Sequence, residues 1–583
     1  MSRGGLKSAR RDGFLAKDAG PGRVDALIAG VIFLLAGLAY WPTLRFELVS
    51  DDLSLFGGNY QLQSLRYLPS FFTGGVWDAV LHGKVDGALY RPLFLVYVTV
   101  LNLACRGNAV ALHAASVLLH AATSILFYFL LRVLLPDTRR VVAAFGALLF
   151  ALHPAHAGSV AWVSASPDLL AGLWLLASLL LYARAVGKGK AGLSMWLSFA
   201  AFLVALFCKE TAIVFPLVIA GFDWLKRRFS LGRTAVFLGG AVFYYLCRLA
   251  ALSGKTEQSL SLGRLDWGKF WYLVRFVPAY GKQLIWPAGQ PFFLFASVDH
   301  YLAGLPLAFF GLASLLLLAL ALLARPREAL FAGGWILLFL SPALALAFCN
   351  QPIFEVRYLY LPSMGFILIL TLLFEQVERR AGRGWLLAVA LPLLLAAGYV
   401  VSREIRPFRD GGALCARIIS SSPASSKGYL CLAQEVEAGD DQSRALALLQ
   451  KAQAVATGAE ERVESNYELG MFLAQGRDPQ AGLPYLKEAV RLDASYSPAY
   501  NAIGNIYLLI RQPGESISYY RQAVESQRDN FEALFNLGQA YELTSAMPQA
   551  LACYRDFVAR APRAGYGRQF AHAEEFIRQA AGR

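Results

Sequence analysis

Long apolar blocks are the feature of this chain that most constrains its fold. A helix of about 20 apolar residues crosses the ~30 Å hydrocarbon core of a bilayer, and such blocks recur over most of the chain. Only 16% of the 583 residues are charged, whereas soluble domains carry about 25%. The sequence therefore predicts an all-α, multi-pass membrane domain at residues 24–403. Its eleven expected spans are 24–43, 109–131, 141–158, 167–184, 191–208, 211–225, 233–253, 303–323, 329–347, 357–375 and 385–402.

Basic residues set the expected orientation of these spans. Lys and Arg are enriched in cytoplasmic loops, and residues 1–23 carry six of them before or at the start of the first apolar block. If that segment is cytoplasmic, the inner connections are RVLLPDTRR, ARAVGKGKAG, DWLKRRFSLGR, ARPREA and EQVERRAGRG, and every one is basic. The pattern predicts an inside N-terminus, an outside C-terminus and a first outer loop at 44–108.

Two further apolar segments do not fit as spans. Counting Leu89–Ala104 as a span would invert every later loop and place the basic connections outside. We therefore expect this segment to lie along the outer interface or to re-enter the membrane. The stretch WGKFWYLVRFVPAYGKQLIW combines aromatic residues with interior charges, which favours an interfacial helix.

The C-terminal part of the chain is polar beyond Arg403 and has no spanning block. Gly470, Gly504 and Gly538 recur every 34 residues in similar surroundings, and this period is the signature of tetratricopeptide (TPR) repeats. Such solenoids offer a concave face to extended peptides; a helical bundle that binds nothing is the alternative. We place a linker at 404–426 and a TPR domain at 427–583, with clear repeats at 466–498, 499–532 and 533–566.

The net charge of +14 does not indicate a nucleic-acid partner, because much of the excess Lys and Arg lies in the short loops that set topology. The seven cysteines lack metal-ligand spacing. Cys415 and Cys431 could pair in an oxidising compartment, although the sequence favours two unpaired thiols. The stretch GKGKAG has no preceding strand, so it does not predict a nucleotide site.

Ionisable residues from distant parts of the chain fall on the outer face in this topology. Charged groups at membrane depth are costly and are functional candidates by default. The candidate residues are Asp51, Asp52, Arg91, His153, His156, Asp168, Lys209, Glu210, Glu355, Arg357 and Tyr358.

Each candidate also has a purely structural interpretation. The two aspartates could cap a helix, Lys209 and Glu210 could mark a tight turn, and the arginines could form local ion pairs. His153 and His156 resemble a two-histidine metal pair, but Pro154 interrupts the helix between them, and we predict no metal site there. Convergence on one face, rather than any single residue, is what favours a functional site.

The acidic pair, followed by YRPL, LFALHPAHAGSVAWVSASPDLLA, KET, RYLYLPSMGF and the 34-residue repeats, resembles the transmembrane-and-TPR O-mannosyltransferases of the GT-C glycosyltransferase superfamily. The resemblance covers nearly the whole chain. It implies an extracytoplasmic active site, a polyprenyl-phosphate-linked sugar as donor, and an acidic residue of the first outer loop as catalytic base. By position this base is Asp51 or Asp52, and Asp51 leads the pair.

The chain departs from the animal members of that family. It has fewer repeats, and it contains no Asn-x-Ser/Thr sequon, which favours a bacterial inner membrane over the endoplasmic reticulum. We therefore expect the active site and the TPR domain on the periplasmic face.

The expected function is transfer of a sugar, mannose by the resemblance, from the lipid-phosphate donor to Ser or Thr hydroxyls of extracytoplasmic proteins held by the TPR groove. A carboxylate would accept the hydroxyl proton, an effect worth about 10²–10⁴-fold. Because neighbouring carboxylates repel, we expect one pKa of the aspartate pair to be raised. Arg91, Lys209 and Arg357 would hold the donor phosphate, and the other candidates would support them.

Three questions stay open at the level of sequence. A divalent ion at the acidic pair is compatible with the residues. The acceptor could instead be a lipid or a polysaccharide. The chain could also be a non-catalytic membrane-anchored scaffold whose repeats assemble partners.

Overall fold

The computed structural model describes residues 22–57, 59–76, 89–187, 192–252, 267–291, 302, 306–349, 354–381, 383–561, 563 and 566–581. These residues are overwhelmingly helical and include no β-strand, so the all-α fold class is confirmed. They form two compact units, one up to Leu414 and the other from Cys415. The predicted cytoplasmic segment 1–23 lies almost wholly outside the described residues, and the domain limits given above remain predictions.

The described part of the first unit contains fifteen α-helices. They are α1 (Arg23–Tyr40), α2 (Asp51–Phe56), α3 (Pro92–Cys105), α4 (Ala109–Leu134), α5 (Arg140–Ala151), α6 (Ala157–Ala161), α7 (Ser166–Gly187), α8 (Leu193–Cys208), α9 (Phe215–Leu225), α10 (Leu231–Ala251), α11 (Trp267–Ile285), α12 (Leu307–Ala324), α13 (Pro326–Cys349), α14 (Pro362–Ala381) and α15 (Arg383–Glu404).

Seven helical segments in the described residues are long and apolar enough to cross a membrane, or eight if one bent pair counts as a span. The predicted number of eleven is therefore not confirmed. Helices α8 and α9 have only 16 and 11 residues, less than the roughly 20 that a span needs. The seven segments are Arg23–Arg45, Ala109–Leu134, Val163–Gly187, Leu231–Ala251, Leu307–Ala324, Pro326–Ala345 and Ala388–Phe408.

The bent pair replaces the single span predicted at 141–158. Helix α5 stops at Ala151, and the chain turns by 44° before Pro154–Ala161. Proline cannot continue a helix because it lacks a backbone N–H, and His153 before it is extended, with ψ 119°. The break places the His153–His156 turn between two short helices.

Helix α3 has 14 residues, too few to span hydrocarbon. It occupies nearly the whole segment Leu89–Ala104 that we expected at the interface or re-entering the membrane. Asn102 on its buried side donates to the carbonyls of Leu55 and Leu62 at 3.0 and 3.1 Å. These bonds attach α3 to α2 and to the turn Tyr60–Gln63.

Burial differs widely among the apolar helices. In the most apolar stretch of Val163–Gly187, which contains α7, 61% of the residues are buried, whereas in α12 only 11% are buried. Leu312, Leu315 and Leu323 of α12 are largely exposed, which is stable for side chains that face lipid tails rather than water. Helix α7 packs against α4 and α8 and forms the centre of the unit.

The second unit begins within α16 (Gly411–Ser421) and continues as antiparallel helix pairs. The pairs that correspond to the clear repeats begin at residues 459, 497 and 531, a few residues before the predicted starts at 466, 499 and 533. The helices are α17 (Ser426–Ala438), α18 (Gln442–Val455), α19 (Ala459–Ala474), α20 (Leu483–Leu492), α21 (Ser497–Leu509), α22 (Pro513–Ser526), α23 (Phe531–Leu543), α24 (Met547–Arg560) and α25 (Gly567–Ala581).

The periodic glycines explain how each pair closes. A Cβ on Gly504 would lie 2.6 Å from the ring of Tyr520, and a Cβ on Gly538 would lie 2.7 Å from the ring of Tyr554. Both rings are fully buried. Only glycine lets the two helices of a pair approach this closely.

Cys415 and Cys431 form a disulfide between α16 and α17. The interpretation of these residues as two unpaired thiols is wrong. Their Cα atoms are 5.5 Å apart, because the turn after α16 folds α17 back against it.

Candidate active site

Asp51 and Asp52 open helix α2, but their side chains have different surroundings. Asp52 is fully buried. One carboxylate oxygen accepts hydrogen bonds from the backbone N–H of Ser164, at 2.7 Å, and from its hydroxyl; the other accepts one from the N–H of Val49, at 3.3 Å. Asp51 is half-buried and lies in the electrostatic field of Arg357 and Glu355. The pair therefore divides into a bonded carboxylate and an accessible one.

The pKa values of both aspartates are raised, mainly by burial. Burial raises the pKa of Asp52 to about 7 against the opposing effect of its hydrogen bonds with Ser164. Repulsion by the Asp51 carboxylate contributes less than burial or the hydrogen bonds. The mutual repulsion that we expected from the sequence is therefore a minor cause of the raised pKa. Burial also raises the pKa of Asp51, while the Arg357 guanidinium lowers it and the Glu355 carboxylate raises it further.

Arg91 and Glu210 form a bidentate ion pair between the start of α3 and the residues that follow α8. The Nε–Oε2 and Nη2–Oε1 distances are 2.7 and 2.6 Å, and both side chains are mostly buried. Although burial raises the pKa of Glu210, the charge and hydrogen bonds of Arg91, together with the charge of Lys209, lower that pKa to about 2. Glu210 is thus held as a carboxylate that fixes the guanidinium.

Lys209 and Asp168 form a second ion pair, in which both side chains are only 4% exposed. Asp168 lies in the first turn of α7 and Lys209 directly follows α8, so the antiparallel packing of these helices brings them together. The ammonium group also lies 5.7 Å from the centre of the Tyr358 ring. Burial lowers the pKa of Lys209, and the attraction of Asp168 only partly offsets this effect.

Arg357 and Glu355 form a third ion pair, in the turn Val356–Leu359 that precedes α14. The Arg357 guanidinium lies 5.0 Å from the ring centre of Trp162 and 5.8 Å from that of Tyr358. A cation above an aromatic face is attracted by the ring quadrupole. Ion pairing and ring contact together hold Arg357 in one orientation.

The three ion pairs and Asp51 belong to one electrostatic cluster. The charge of Arg357 acts on Asp51, on Lys209 and on Arg91. Three cations therefore meet four carboxylates, and only Asp51 lacks its own paired cation in the geometry described above. The structure brings together Asp51, Arg91, Asp168, Lys209, Glu210, Glu355, Arg357 and Tyr358.

His153 and His156 lie outside this cluster, in a buried aromatic network. His156 Nε2 lies 2.8 Å from Ser363 Oγ, and His153 Nε2 lies 3.0 Å from the Leu284 carbonyl. His120 joins them, with its Nδ1 2.9 Å from the Tyr360 hydroxyl. The network packs the break at Pro154 against the segment that carries Arg357.

No group of three or more His, Cys, Asp or Glu side chains within the described ranges could hold a metal ion. In the aspartate pair, the Asp52 carboxylate already accepts three hydrogen bonds from Ser164 and Val49.

Two residues of this site were missed by the sequence analysis. Ser164 holds Asp52, and Trp162 packs under Arg357. Both belong to the stretch AWVSASPD, where a serine among apolar residues and a tryptophan near the end of a span were the only signals. Neither signal is specific, since both residues are common at membrane interfaces.

Comparison with known proteins places the chain beside a group of mannosyltransferases. It is 24% identical to the Drosophila melanogaster "Protein O-mannosyl-transferase Tmtc3" over 86% of this chain and 64% of that protein. The human "Protein O-mannosyl-transferase TMTC3" is 29% identical over 32% of this chain and 20% of its own length. The Drosophila melanogaster "Protein O-mannosyl-transferase Tmtc1" is 33% identical over 31% and 20%. The chain thus spans less than two thirds of each of these relatives.

The repeat region matches the tetratricopeptide-repeat family model at residues 497–530, which are α21, α22 and the turn after them. A solved structure titled "Crystal structure of YrrB: a TPR protein with an unusual peptide-binding site" is 18% identical, covers 35% of this chain and 97% of its own, and has a TM-score of 0.24. The resemblance to membrane-and-TPR O-mannosyltransferases is confirmed by the relatives and the family model.

Proposed function

We propose that this chain is a membrane glycosyltransferase that moves mannose from a polyprenyl-phosphate donor to Ser or Thr hydroxyls of proteins outside the cytoplasm. The observation that carries the proposal is a half-buried carboxylate, Asp51, beside an oriented cation, Arg357. The names of the relatives support mannose as the sugar and protein as the acceptor. The cations around the carboxylate support a donor that carries a phosphate, and the resemblance to the O-mannosyltransferases implies that this phosphate is linked to a polyprenyl chain.

Asp51 serves as the general base in this proposal. The acceptor oxygen attacks the anomeric carbon of the sugar while its proton passes to the Asp51 carboxylate. The bond between that carbon and the phosphate oxygen breaks, and polyprenyl phosphate leaves with the bonding electrons. A single displacement inverts the anomeric centre. A raised pKa suits the role, because a base works best when its pKa approaches the working pH.

Arg357 and Arg91 hold the departing phosphate. A guanidinium has five N–H donors, of which the bond between Arg91 and Glu210 uses two. The carboxylate partners of the two arginines fix the orientation of each guanidinium group before substrate binds. Cations that are already oriented stabilise the charge that develops at the leaving group. Lys209 is 4% exposed, so it contributes charge beneath the two arginines rather than a surface contact.

Asp52 positions the loop instead of taking the proton. Two of its three hydrogen bonds connect the start of α2 to the turn that contains Trp162 and Ser164, and the third is a local bond from the N–H of Val49. Because that turn also carries the ring beneath Arg357, Asp52 sets the spacing between the base and the phosphate-binding cation. The assignment selects Asp51 from the pair that the sequence left undecided.

The repeat domain presents the protein acceptor on the outer side. The disulfide between Cys415 and Cys431 supports an oxidising compartment for this domain, since such bonds persist mainly outside the cytoplasm. This placement agrees with the orientation expected from the basic loops, with the N-terminus inside and the site on the periplasmic face of a bacterial inner membrane.

The proposal is tested with purified full-length protein, polyprenyl-phosphate mannose carrying a radiolabel, and a Ser/Thr-rich peptide or a total membrane-lipid extract as acceptor. Label transferred to the peptide, and released as mannose by β-elimination, is the expected result. Label in the lipid fraction alone would favour a lipid or polysaccharide acceptor. No turnover with any polyprenyl-phosphate sugar would favour the non-catalytic scaffold.

A further inference from the structure

A cavity of about 590 Å³ lies between α7, α8 and α10, far from the ion-pair cluster. Asp168 stands at the start of α7 and Ala185 near its end, so at 1.5 Å per residue the cavity is roughly 25 Å from that cluster. The cavity is lined by Ala185, Val186, Met195, Trp196, Phe199, Ser230, Gly232, Arg233, Val236 and Phe237.

The apolar part of the cavity has exposed edges. Trp196 on one edge and Val236 on the other are 68% and 51% exposed, and α10 is one of the seven segments apolar enough to span a membrane. A groove walled by such side chains would be costly to fill with water. A hydrocarbon chain is the occupant that its walls favour.

The polar end of the cavity carries positive charge. Arg233 donates from Nη2 to Asp223, at 2.8 Å, and from Nε to the Tyr182 hydroxyl, also at 2.8 Å. Arg228 donates from Nη1 to the carbonyl of Val186, a lining residue, at 2.8 Å. Arg227, next to it, is exposed. Asp223 is fully buried against Arg233, so its single negative charge leaves this end with a positive excess.

We propose that the cavity binds an anionic glycerophospholipid of the bilayer, with one acyl chain between α8 and α10 and the phosphate beside Arg228 and Arg233. The apolar walls complement the acyl chain of such a lipid, and the basic rim complements its phosphate. Basic pockets between membrane-spanning helices bind anionic lipid head groups. The site is separate from the proposed reaction, and it stands whether or not the chain transfers mannose.

The test compares two glycines of α10, of which one lines the cavity and the other does not. Neither Gly232 nor Gly239 has an atom within 4 Å of an added Cβ, but only Gly232 lines the cavity. Gly232→Leu therefore adds a side chain at the cavity with open space around its Cβ, and Gly239→Leu is the matched control. Delipidated full-length protein in detergent is titrated with phosphatidylglycerol or phosphatidylcholine, and bound lipid is counted by native mass spectrometry.

We expect the unchanged protein and Gly239→Leu to bind phosphatidylglycerol equally, and Gly232→Leu to bind it at least about tenfold more weakly because its side chain occupies the space of the ligand. Arg228→Gln should weaken phosphatidylglycerol about tenfold, the loss of one charge-assisted hydrogen bond, and should weaken phosphatidylcholine less, because the choline group of that lipid already offsets the charge of its phosphate. Equal binding by the two leucine variants, or equal affinity of the unchanged protein for both lipids, would overturn the proposal. Far-ultraviolet circular dichroism of each variant confirms that it is folded.

Discussion

Arg91 and Glu210 are joined by two hydrogen bonds of 2.7 and 2.6 Å across 119 residues of sequence. The pair connects the start of helix α3 to the turn between α8 and α9. Because both side chains are mostly buried, each charge depends on the other to offset the loss of its hydration. The pair is thus both a structural clamp and the orienting support of a proposed phosphate-binding cation.

This clamp predicts strong coupling between its two partners. Arg91→Gln and Glu210→Gln should each lower the free energy of unfolding by about 3 kcal/mol, because each leaves a buried charge unpaired. The double variant should lose far less than the sum of the two. Thermal unfolding of the detergent-solubilised chain measures all three losses. Additive losses would contradict a direct ion pair.

The pH profile of transfer should respond in opposite directions to two neighbouring substitutions. The base is active when deprotonated, so activity rises with pH through the pKa of Asp51, which lies above its ordinary value. Glu355→Gln removes a repulsive charge and should move this acid limb to lower pH. Arg357→Gln removes an attractive charge and should move it to higher pH.

The pH dependence of kcat/KM with lipid-linked mannose provides the measurement. Arg357→Gln should also reduce the maximal rate, since it weakens the proposed phosphate contact, whereas the direction of the pH shift is independent of that loss. Shifts of the same sign for both variants would exclude Asp51 as the group that titrates.

The close contact between Gly504 and Tyr520 in one TPR pair should not tolerate one extra methyl group. Gly504→Ala places a Cβ 2.6 Å from the buried ring of Tyr520, and overpacking of this kind costs about 1–3 kcal/mol. Gly514→Ala, in α22 with open space around its Cβ, is the control and should be neutral or slightly stabilising. Hydrogen–deuterium exchange of peptides from α21 and α22 should increase only in the first variant.

The disulfide between Cys415 and Cys431 should be present in protein recovered from the membrane under non-reducing conditions. After denaturation without reductant, a maleimide should label the free thiol of Cys553 but neither of these two. Cys415→Ser should then destabilise α16 and α17 by about 3 kcal/mol, as expected for a loop closed by a bond across 16 residues. Complete labelling of Cys415 would instead support the two free thiols that the sequence favoured.

Much of the candidate site could be predicted from the sequence because its members are charged residues in an apolar domain. Arg91, Lys209 and Arg357 stood out for that reason, and the sequence placed their carboxylate partners on the same expected face of the membrane. The pairing itself could not be predicted, because Glu210 is adjacent to Lys209 in sequence yet binds Arg91, while Lys209 binds Asp168. Only helix packing decides such choices.

Prediction from the sequence was least informative for the site residues that carry no charge. Ser164 determines which aspartate is bonded, yet a serine in an apolar stretch has many uses. His153 and His156 looked like candidates for the site because histidines are rare in membranes, but their ring contacts belong to packing. The number of spans stays a prediction, because short helices such as α9 contain as much apolar character per residue as long ones.

The account depends most directly on Asp51 as the proton acceptor, and one comparison tests it. Asp51→Asn preserves size and removes the base, whereas Glu47→Gln changes an exposed carboxylate four residues earlier in the same loop. Initial rates of mannose transfer from polyprenyl-phosphate mannose to peptide, measured at equal folded protein, should fall by about 10²–10⁴-fold for Asp51→Asn and stay unchanged for Glu47→Gln. A rate for Asp51→Asn within a few fold of the unchanged enzyme would contradict the mechanism.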